Sequence, residues 1–314
     1  MKGEEWRNMK PLRLKKGDTV GVIAPASPPK QEKLKRALPF LEEELGLKVK
    51  LGKYVDAPYG YLASKDEEKL EDLHAMFQDD EVKAIFCACG GFGTARIASN
   101  IDYDIVKNNP KIFWGYSDIT FLHQAFYQKA GLTSFHGPML SSDIGLDSIH
   151  PLSKAYFQQL FEPTELVYTE ELSPLEVMNE GVATGELVGG NLTLLVSSLG
   201  TPFELQTKGK ILFFEDIDEQ PYKVDRMLNQ LKMAGKFSDA EGIVIGDFHN
   251  CVPDEGKASL TLEEVISQHV KDAGKPTMSG FQFGHCSPNI AIPHGAKAEL
   301  NTYNKTLTIQ AGVE

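Results

Sequence analysis

The chain has 314 residues, of which 41% are apolar and 24% are charged, and its formal net charge is -12. This length favours roughly two domains, and the composition is that of a globular protein. No stretch approaches the roughly 18 apolar residues that span a bilayer, which argues against a membrane protein. The negative charge and the lack of a long basic run argue against nucleic acid as a partner. A small-molecule or peptide ligand is expected.

The N-terminus and the cysteines bear on the cellular compartment. Residues 1–10 are charged and lack the apolar core of a signal peptide, so we expect the chain in the cytoplasm. Four cysteines are too few in so long a chain for a disulfide framework. Cys87 and Cys89 could form part of a metal site, but structural zinc usually takes more widely spaced pairs. We therefore expect buried thiols, no metal and no cofactor.

From residue 17 to about 135, short apolar runs alternate with helical patterns. Strands are predicted at 19–24, 48–51, 84–87, 112–114 and 133–135, and helices at 31–45 and 65–77. This alternation predicts βαβ units and a mostly parallel sheet. Ligands bind at the carboxyl ends of strands in such sheets. The loops at 24–29, 89–93 and 116–117 are therefore expected to form one pocket.

Residues 161–180 separate this region from a second unit. They contain two prolines and six glutamates without a sustained helical period, which predicts a linker or crossover. The second unit begins near residues 185–195. It continues through predicted strands at 210–214, 242–245 and 298–300, with helices near 222–234 and 262–272.

The segment KIFWGYSDIT at 111–120 places Ser117 where an apolar strand meets a helix. Gly115 permits a sharp bend, and the N-H groups at a helix N-terminus favour an oxyanion or a serine alkoxide. That position suits a nucleophile. The alternative is that Ser117 or Asp118 only caps the helix. The match to the hydrolase elbow G-x-S-x-G is incomplete, because Ile119 occupies the last glycine position.

A serine nucleophile needs a base, and a histidine base needs an orienting carboxylate. His285 lies in a loop rich in glycine and proline, and such loops often hold catalytic groups. His136 and His249 also follow strands, so His285 has only a modest lead. For the carboxylate, Glu215 stands where an apolar strand ends. The Glu215 carboxylate is then either exposed to water at the end of the strand or buried in a cleft beside a partner group.

Several short blocks follow one another along most of the chain. They are LKKGDTVGVIAPAS at 14–27, GGFG at 90–93, GYSD at 115–118, HGP at 136–138, GELVGGNL at 185–192, FED at 214–216 with DR at 225–226, and GH at 284–285 with PHG at 293–295. Together and in this order, they resemble the LD-carboxypeptidase family of serine peptidases, which also contains the microcin-immunity carboxypeptidases.

The resemblance implies an α/β fold of two domains with the active site between them. The N-terminal domain, at 1–160, would have a mostly parallel, flavodoxin-like sheet flanked by helices and would carry the nucleophile. Residues 161–180 would link it to a smaller C-terminal β/α domain at 181–314, which would carry the glutamate and the histidine of a triad.

The resemblance also implies a function and the residues that perform it. The triad would be Ser117, Glu215 and His285, with the backbone N-H groups of Gly91 and Asp118 as candidates for the oxyanion hole. The substrate would be a murein tetrapeptide, from which terminal D-alanine is released at an L,D bond during cell-wall recycling. The family resemblance further suggests a homodimer.

An exopeptidase must also recognise a free carboxylate, which calls for a cation or a cluster of N-H donors. Gly90, Asn191 and Arg226 are candidates for substrate contact. Asn191 would alternatively cap the next helix, and Arg226 would alternatively form a surface or interdomain ion pair. Family members often carry an arginine directly before the Gly-Gly of the first loop. This chain has Cys89 there, which puts a charge-based contact from that position in doubt.

Two other hypotheses stay open. The same triad could serve self-immunity by hydrolysing a peptide-nucleotide antibiotic, and an aromatic-lined nucleotide pocket in the second domain would favour that function. A two-domain protein that binds a small ligand without turnover would have the same parallel sheet and glycine-rich loops, because a fold does not determine a function.

Overall fold

The computed structural model describes residues 8–314, which form two β-sheets with helices packed against them. The strands, numbered along the chain, are β1 Thr19–Ile23, β2 Lys48–Leu51, β3 Val82–Cys87, β4 Ile112–Gly115, β5 Ser134–His136, β6 Leu166–Tyr168, β7 Glu176–Asn179, β8 Val182–Asn191, β9 Lys210–Ile217, β10 Gly242–His249, β11 Thr277–Ser279, β12 Ile292–His294, β13 Lys297–Asn301 and β14 Thr306–Ile309.

The helices lie on the faces of these sheets and between them. The α-helices are α1 Gln31–Pro39, α2 Asp66–Gln78, α3 Thr94–Ala98, α4 Tyr103–Asn108, α5 Thr120–Ala130, α6 Pro151–Ala155, α7 Leu192–Ser197, α8 Pro221–Met233, α9 Lys236–Asp239 and α10 Leu262–Val270. Short π-helical turns occupy Phe40–Glu44 and Leu140–Ile144, and 3-10 turns occupy Ser117–Ile119, Tyr156–Leu160 and Lys271–Ala273. None of the helices within 8–314 is long and apolar enough to cross a membrane.

The first sheet has the strand order β12-β5-β4-β3-β1-β2. Strands β1 to β5 are parallel and follow the flavodoxin-like order 2-1-3-4-5. This confirms the predicted mostly parallel N-terminal sheet. Its central strands β1, β3 and β4 are buried except at Thr19 and Lys83, because separate hydrophobic clusters cover both faces.

One strand of this sheet comes from the far end of the chain. β12 pairs antiparallel with β5, and Ile292 lies opposite His136. The sequence pattern does not predict β12, because three residues with a central proline give little strand signal and proline is confined to sheet edges. The pairing joins the two parts of the chain next to the end of β5.

The second sheet has the order β6-β14-β13-β8-β9-β10-β11-β7. Its centre, β8 to β11, is parallel, while β13, β14, β6 and β7 pair antiparallel at the two sides. The segment 161–180, predicted as a linker, contributes β6 and β7, the two edge strands of this sheet. Strands of three and four residues flanked by prolines are too short to give a periodic signal.

The predicted helix at 31–45 is observed as two pieces. α1 ends at Pro39, and a π-helical turn continues from Phe40 to Glu44. Proline lacks the backbone N-H that would bond four residues back, so the regular hydrogen-bond pattern changes at this point.

Candidate active site

Ser117 lies on a strained turn between β4 and α5. Its φ is +62°, a left-handed value that costs a residue with a Cβ about 1–2 kcal/mol. Neither the Ser117 nor the Asp118 side chain caps the 3-10 turn or α5. The hypothesis that these residues only cap the helix that follows β4 is therefore wrong. Gly90 packs against the serine so closely that a Cβ there would lie 2.9 Å from the Ser117 Cβ. The turn therefore presents the hydroxyl at the carboxyl edge of the first sheet.

A chain of two hydrogen bonds connects this serine to the second sheet. His285 Nε2 lies 3.1 Å from Ser117 Oγ, and His285 Nδ1 lies 2.7 Å from Glu215 Oε2. Glu215 sits within β9 and is fully buried, whereas the His285 side chain is 12% exposed. The structure thus brings together the three residues singled out by the sequence, in the order serine, histidine, carboxylate. Both distances are within the range expected of a nucleophile, a base and its orienting group.

Gly284 makes the approach of Glu215 to this loop possible. Its φ is +106°, and a Cβ at this position would lie 2.4 Å from Glu215 Oε2. Any larger residue would displace the carboxylate or the loop. The glycine directly before His285 is therefore a steric requirement of the site.

The pKa of His285 is raised above its ordinary value. Burial alone would lower this pKa, but the charge of Glu215 and the hydrogen bond to it outweigh burial, with smaller contributions from Asp216 and Asp143. The imidazole is consequently a stronger base than a free histidine. The Glu215 partner also fixes the tautomer, because the proton on Nδ1 is donated to the carboxylate and the lone pair of Nε2 faces Ser117.

Ser117 and His285 open onto a cleft of about 600 Å³. Its wall combines the first loops of the N-terminal sheet with the loop that carries His285. Charged or polar residues of the wall include Ser27, Lys30, Lys33, Ser117, Ser141, Ser142, Asp143, His150, His249, His285 and Asn289. The predicted clustering of the loops at 24–29, 89–93 and 116–117 is confirmed.

Cys89 carries no charge into this cleft. Its thiol donates to the carbonyl of Ser27 at 3.1 Å, and burial raises its pKa to about 12. Cys87 is also buried and reduced, so the expectation of buried thiols is confirmed for this pair. The lysines of the cleft wall are Lys30 and Lys33. Neither lies within 4.0 Å of a carboxylate of residues 8–314.

The other candidates occupy different environments. Gly90 and Gly91 both line the cleft, and Gly91 has a φ of +108°. Asn191 caps α7: its Oδ1 accepts from Leu194 N at 3.3 Å and its Nδ2 donates to Asp216 at 2.8 Å. The amide is thus committed at both ends, as the capping alternative predicts.

Arg226, predicted as a substrate contact, does not line this cleft. The residue is exposed on α8, away from the cleft wall, and its guanidinium stacks over the Tyr222 ring at 5.5 Å. It forms no ion pair with any residue between 8 and 314 either. The Tyr222 ring, one helical turn away, gives the guanidinium a local cation–π contact.

Sequence reasoning missed Asp143 and the role of the Asp118 carboxylate, a half-buried and a buried acid near Ser117 and His285. The Asp118 carboxylate accepts from Thr94 N at 2.9 Å and thereby holds the start of α3, and burial raises its pKa. Asp143 accepts from Met139 N and from the Tyr116 hydroxyl, and burial raises its pKa to about 6. The Tyr116 ring packs on His285 with 4.8 Å between ring centroids. These contacts fix the elbow and the imidazole ring, and they involve partners that are distant in sequence.

Comparison with known proteins identifies the family of this chain. Residues 20–137 match the LD-carboxypeptidase N-terminal domain, and residues 184–300 match the LD-carboxypeptidase C-terminal domain. The chain belongs to the LD-carboxypeptidase family. This LD-carboxypeptidase is therefore a serine-type hydrolase. It is 64% identical over 313 residues to the probable murein peptide carboxypeptidase of Bacillus subtilis (strain 168), covering 100% of this chain and 98% of that protein.

Solved structures resemble this LD-carboxypeptidase over nearly its whole length. The crystal structure of a muramoyltetrapeptide carboxypeptidase from Oxalobacter formigenes matches with a TM-score of 0.81 and 28% identity, covering 93% of this chain and 97% of that one. The microcin C7 self immunity protein MccF, in its wild-type apo state, matches with a TM-score of 0.86 and 25% identity, covering 96% and 98%. The two-domain fold is common to both.

Proposed function

We propose that this LD-carboxypeptidase releases the terminal D-alanine of a murein tetrapeptide by a Ser-His-Glu mechanism. The observation that carries the proposal is the continuous hydrogen-bonded chain from Ser117 through His285 to buried Glu215. The similarity to the probable murein peptide carboxypeptidase of Bacillus subtilis supports the substrate class.

Each member of the chain has one role in this mechanism. His285 Nε2 takes the proton of Ser117 as Oγ attacks the carbonyl carbon of the L,D bond. The imidazolium then gives that proton to the departing amine of D-alanine, leaving the remaining peptide as an ester on Ser117. A water molecule, deprotonated by His285, hydrolyses the ester. Glu215 keeps Nδ1 protonated and stabilises the positive charge of the imidazolium.

The negative charge of the tetrahedral intermediate needs N-H donors near Ser117. The backbone N-H groups of Gly91 and Asp118 are the proposed donors, since one lies on the loop facing the serine and the other directly follows it. Glycine at 91 lets the backbone approach the substrate closely. Removing one such donor typically costs about 2.7–4 kcal/mol of transition-state stabilisation.

Lys30 and Lys33 are the proposed recognition groups for the carboxylates of the peptide. Both line the cleft and lack an ion-pair partner in the described chain, whereas position 89 carries a neutral thiol. An unpaired ammonium group attracts a carboxylate and adds a charge-assisted hydrogen bond. In a protein with a net charge of -12, two such lysines at the mouth of the cleft favour an anionic substrate locally.

The proposal extends to the setting of the reaction. We place the protein in the cytoplasm, where it would act on murein peptides returned from the cell wall, and we expect a homodimer. Light scattering of the purified chain tests the homodimer, and fractionation of cells that express it tests the compartment.

The deciding experiment measures free D-alanine after incubation with L-Ala-γ-D-Glu-meso-diaminopimelate-D-Ala. We expect release by the wild type and by Ser142→Ala, a control at another serine of the cleft wall, and no release by Ser117→Ala or His285→Ala. Release by a folded Ser117→Ala at the wild-type rate would refute the mechanism.

The same assay separates the proposed substrate from a peptide-nucleotide one. Among the described residues of the cleft wall, Tyr116 is the one aromatic side chain apart from histidines, and it is buried against His285. That wall offers little stacking surface for a nucleobase. An aminoacyl sulfamoyl nucleotide should therefore be hydrolysed far more slowly than the tetrapeptide. The opposite preference would move the function to self-immunity, and binding without turnover of either would make the protein a binding module.

A further inference from the structure

Glu215 has one carboxylate oxygen that the triad does not use. Oε2 accepts from His285, while Oε1 is buried and has no hydrogen-bond partner among the described residues. A charged oxygen in a site of low dielectric is costly without a donor. The atom in the described chain that stands opposite Oε1 is Nε2 of His136, 3.9 Å away.

His136 has unused hydrogen-bonding capacity of its own. It lies at the end of β5, its side chain is fully buried, and neither ring nitrogen has a partner within residues 8–314. Buried polar atoms nearly always find a partner. A gap of 3.9 Å is too long for a direct hydrogen bond, but one bridging water or a shift of about 1 Å closes it.

The surroundings hold the His136 ring in this orientation. The ring meets Tyr116 edge-on with 5.7 Å between centroids, and it meets Phe213 in the same manner at 5.4 Å. Phe213 lies two residues before Glu215 on β9, and Tyr116 precedes Ser117. The ring therefore packs between the two chain segments that supply the carboxylate and the nucleophile.

His136 can donate a hydrogen bond to Glu215 without adding a positive charge beside His285. Burial lowers its pKa well below the ordinary value, and the nearby histidines lower it further. The ring is thus neutral and carries a single N-H. The titratable groups that face it are Tyr116, His123, Glu215, His285 and His294.

We propose that His136 is a positioning residue of the triad, whose neutral Nε2-H donates to Glu215 Oε1 directly or through one water. This contact holds the plane of the carboxylate so that Oε2 stays on His285 Nδ1. A lysine or arginine in the same place would neutralise Glu215 and oppose the positive charge that forms on His285 during the reaction. The inference rests on the proposed function, because it assigns His285 the role of the base.

His294 provides a matched control. It is equally buried, both of its ring nitrogens lack partners in the described chain, and burial lowers its pKa as well. It packs against Tyr127 and Phe213, but no carboxylate of residues 8–314 lies within 4.0 Å of it. A purely structural role for buried histidines would affect both positions alike.

The experiment compares His136→Phe, His136→Gln and His294→Phe. We expect His136→Phe to lower kcat for D-alanine release about 10- to 100-fold, the usual effect of losing a group that orients a catalytic residue, with little change in KM. His136→Gln keeps a donor and should recover much of the activity, and His294→Phe should resemble the wild type.

The pH profile supplies a readout that a packing defect would not move. The acidic limb of kcat/KM reports the pKa of His285 in the free enzyme. Glu215 raises that pKa, so a carboxylate that is no longer held should raise it less, and the limb should move to lower pH in His136→Phe. Equal kcat values and unmoved limbs in His136→Phe and His294→Phe would overturn the proposal.

Two measurements keep the test independent of the substrate. The rate at which a fluorophosphonate labels Ser117 depends on His285, and the low-field proton resonance of His285 Nδ1-H reports its bond to Glu215. Both should change in His136→Phe and not in His294→Phe.

If the wild type releases no D-alanine, the proposed function fails while these two measurements still decide the role of His136. If His136→Phe does not fold, His136→Leu, which also lacks a donor, takes its place in the same comparison.

Discussion

The two sides of the cleft hold the groups of the proposed triad by different physical means. On the first sheet, a left-handed residue in the turn between β4 and α5 places Ser117. On the second sheet, side-chain charge places His285, through a short hydrogen bond to a fully buried carboxylate. One side stores conformational strain, and the other carries the cost of a buried charge.

This difference teaches where each side is vulnerable. A strained turn keeps its shape when the side chain at its tip is changed, because the surrounding strand and helix impose the φ value. A buried charge pair loses its geometry when either partner is altered, since the remaining group is left without compensation. Substitutions at the Glu215–His285 pair should therefore displace His285 far more than substitutions at the elbow displace the backbone of the turn.

The largest effect is expected from Glu215→Gln. The amide has the size of the carboxylate but cannot hold the required tautomer of His285 or stabilise its charge, so kcat should fall about 10⁴-fold. Glu219→Gln, which changes a nearby half-buried acid paired with Lys223, should retain activity. Steady-state kinetics of both variants checks this expectation, and similar kcat values would show that the charge of Glu215 is dispensable.

Gly284→Ala tests the steric side of the same pair. The new Cβ would lie 2.4 Å from Glu215 Oε2 on a backbone with a φ of +106°. A displacement of about 1 Å in a catalytic group can cost about 100-fold in rate, and we expect a loss of that order. Gly256→Ala has a positive φ without any atom within 4 Å, so it should cost some stability and no activity. Equal activity in the two variants would contradict the steric argument.

Lys33→Gln should raise KM and leave kcat nearly unchanged. Ion pairs at partly exposed sites contribute about 0.2–1 kcal/mol, which corresponds to an increase in KM of up to about fivefold. Lys35→Gln, an exposed lysine on the same helix outside the cleft wall, is the control and should change nothing. The difference should shrink at high salt. The difference in KM between Lys33→Gln and the wild type should also shrink when the peptide carboxylate is amidated. An unchanged KM of Lys33→Gln for the charged peptide would exclude Lys33 from substrate recognition.

The smallest effect concerns the strain at the elbow. Glycine is normally about 0.5–1 kcal/mol less favourable than alanine within regular structure. At a φ of +62° the order should reverse, because the left-handed conformation costs alanine about 1–2 kcal/mol. Ser117→Gly should therefore unfold at a higher denaturant concentration than Ser117→Ala. The opposite order would mean that the turn is relaxed.

The elbow was predictable from sequence because its determinants are local. An apolar strand, Gly115 and a helical pattern stand next to one another, and the parallel sheet follows from the same alternation. Residues Glu215 and His285 were candidates on local grounds, but only the ordered family blocks joined them to Ser117. Glu215 and His285 are 70 residues apart in the sequence, and Ser117 and His285 are 168 apart. Sequence periodicity carries no information over such separations.

Other features depended on tertiary packing and escaped prediction. β12 returns to the first sheet although three residues with a central proline give almost no strand signal. The role proposed for His136 depends on a buried oxygen that comes from β9. Sequence reasoning thus found the residues of the proposed triad and missed those that surround them.

The most direct test of the central claim is to label Ser117 and then measure catalysis. The wild type is treated with a fluorophosphonate, the modified residue is identified by peptide mass spectrometry, and D-alanine release is followed as labelling proceeds. We predict that Ser117 is modified and that release falls in proportion to its occupancy. Full release of D-alanine by protein whose Ser117 is completely labelled would contradict the account.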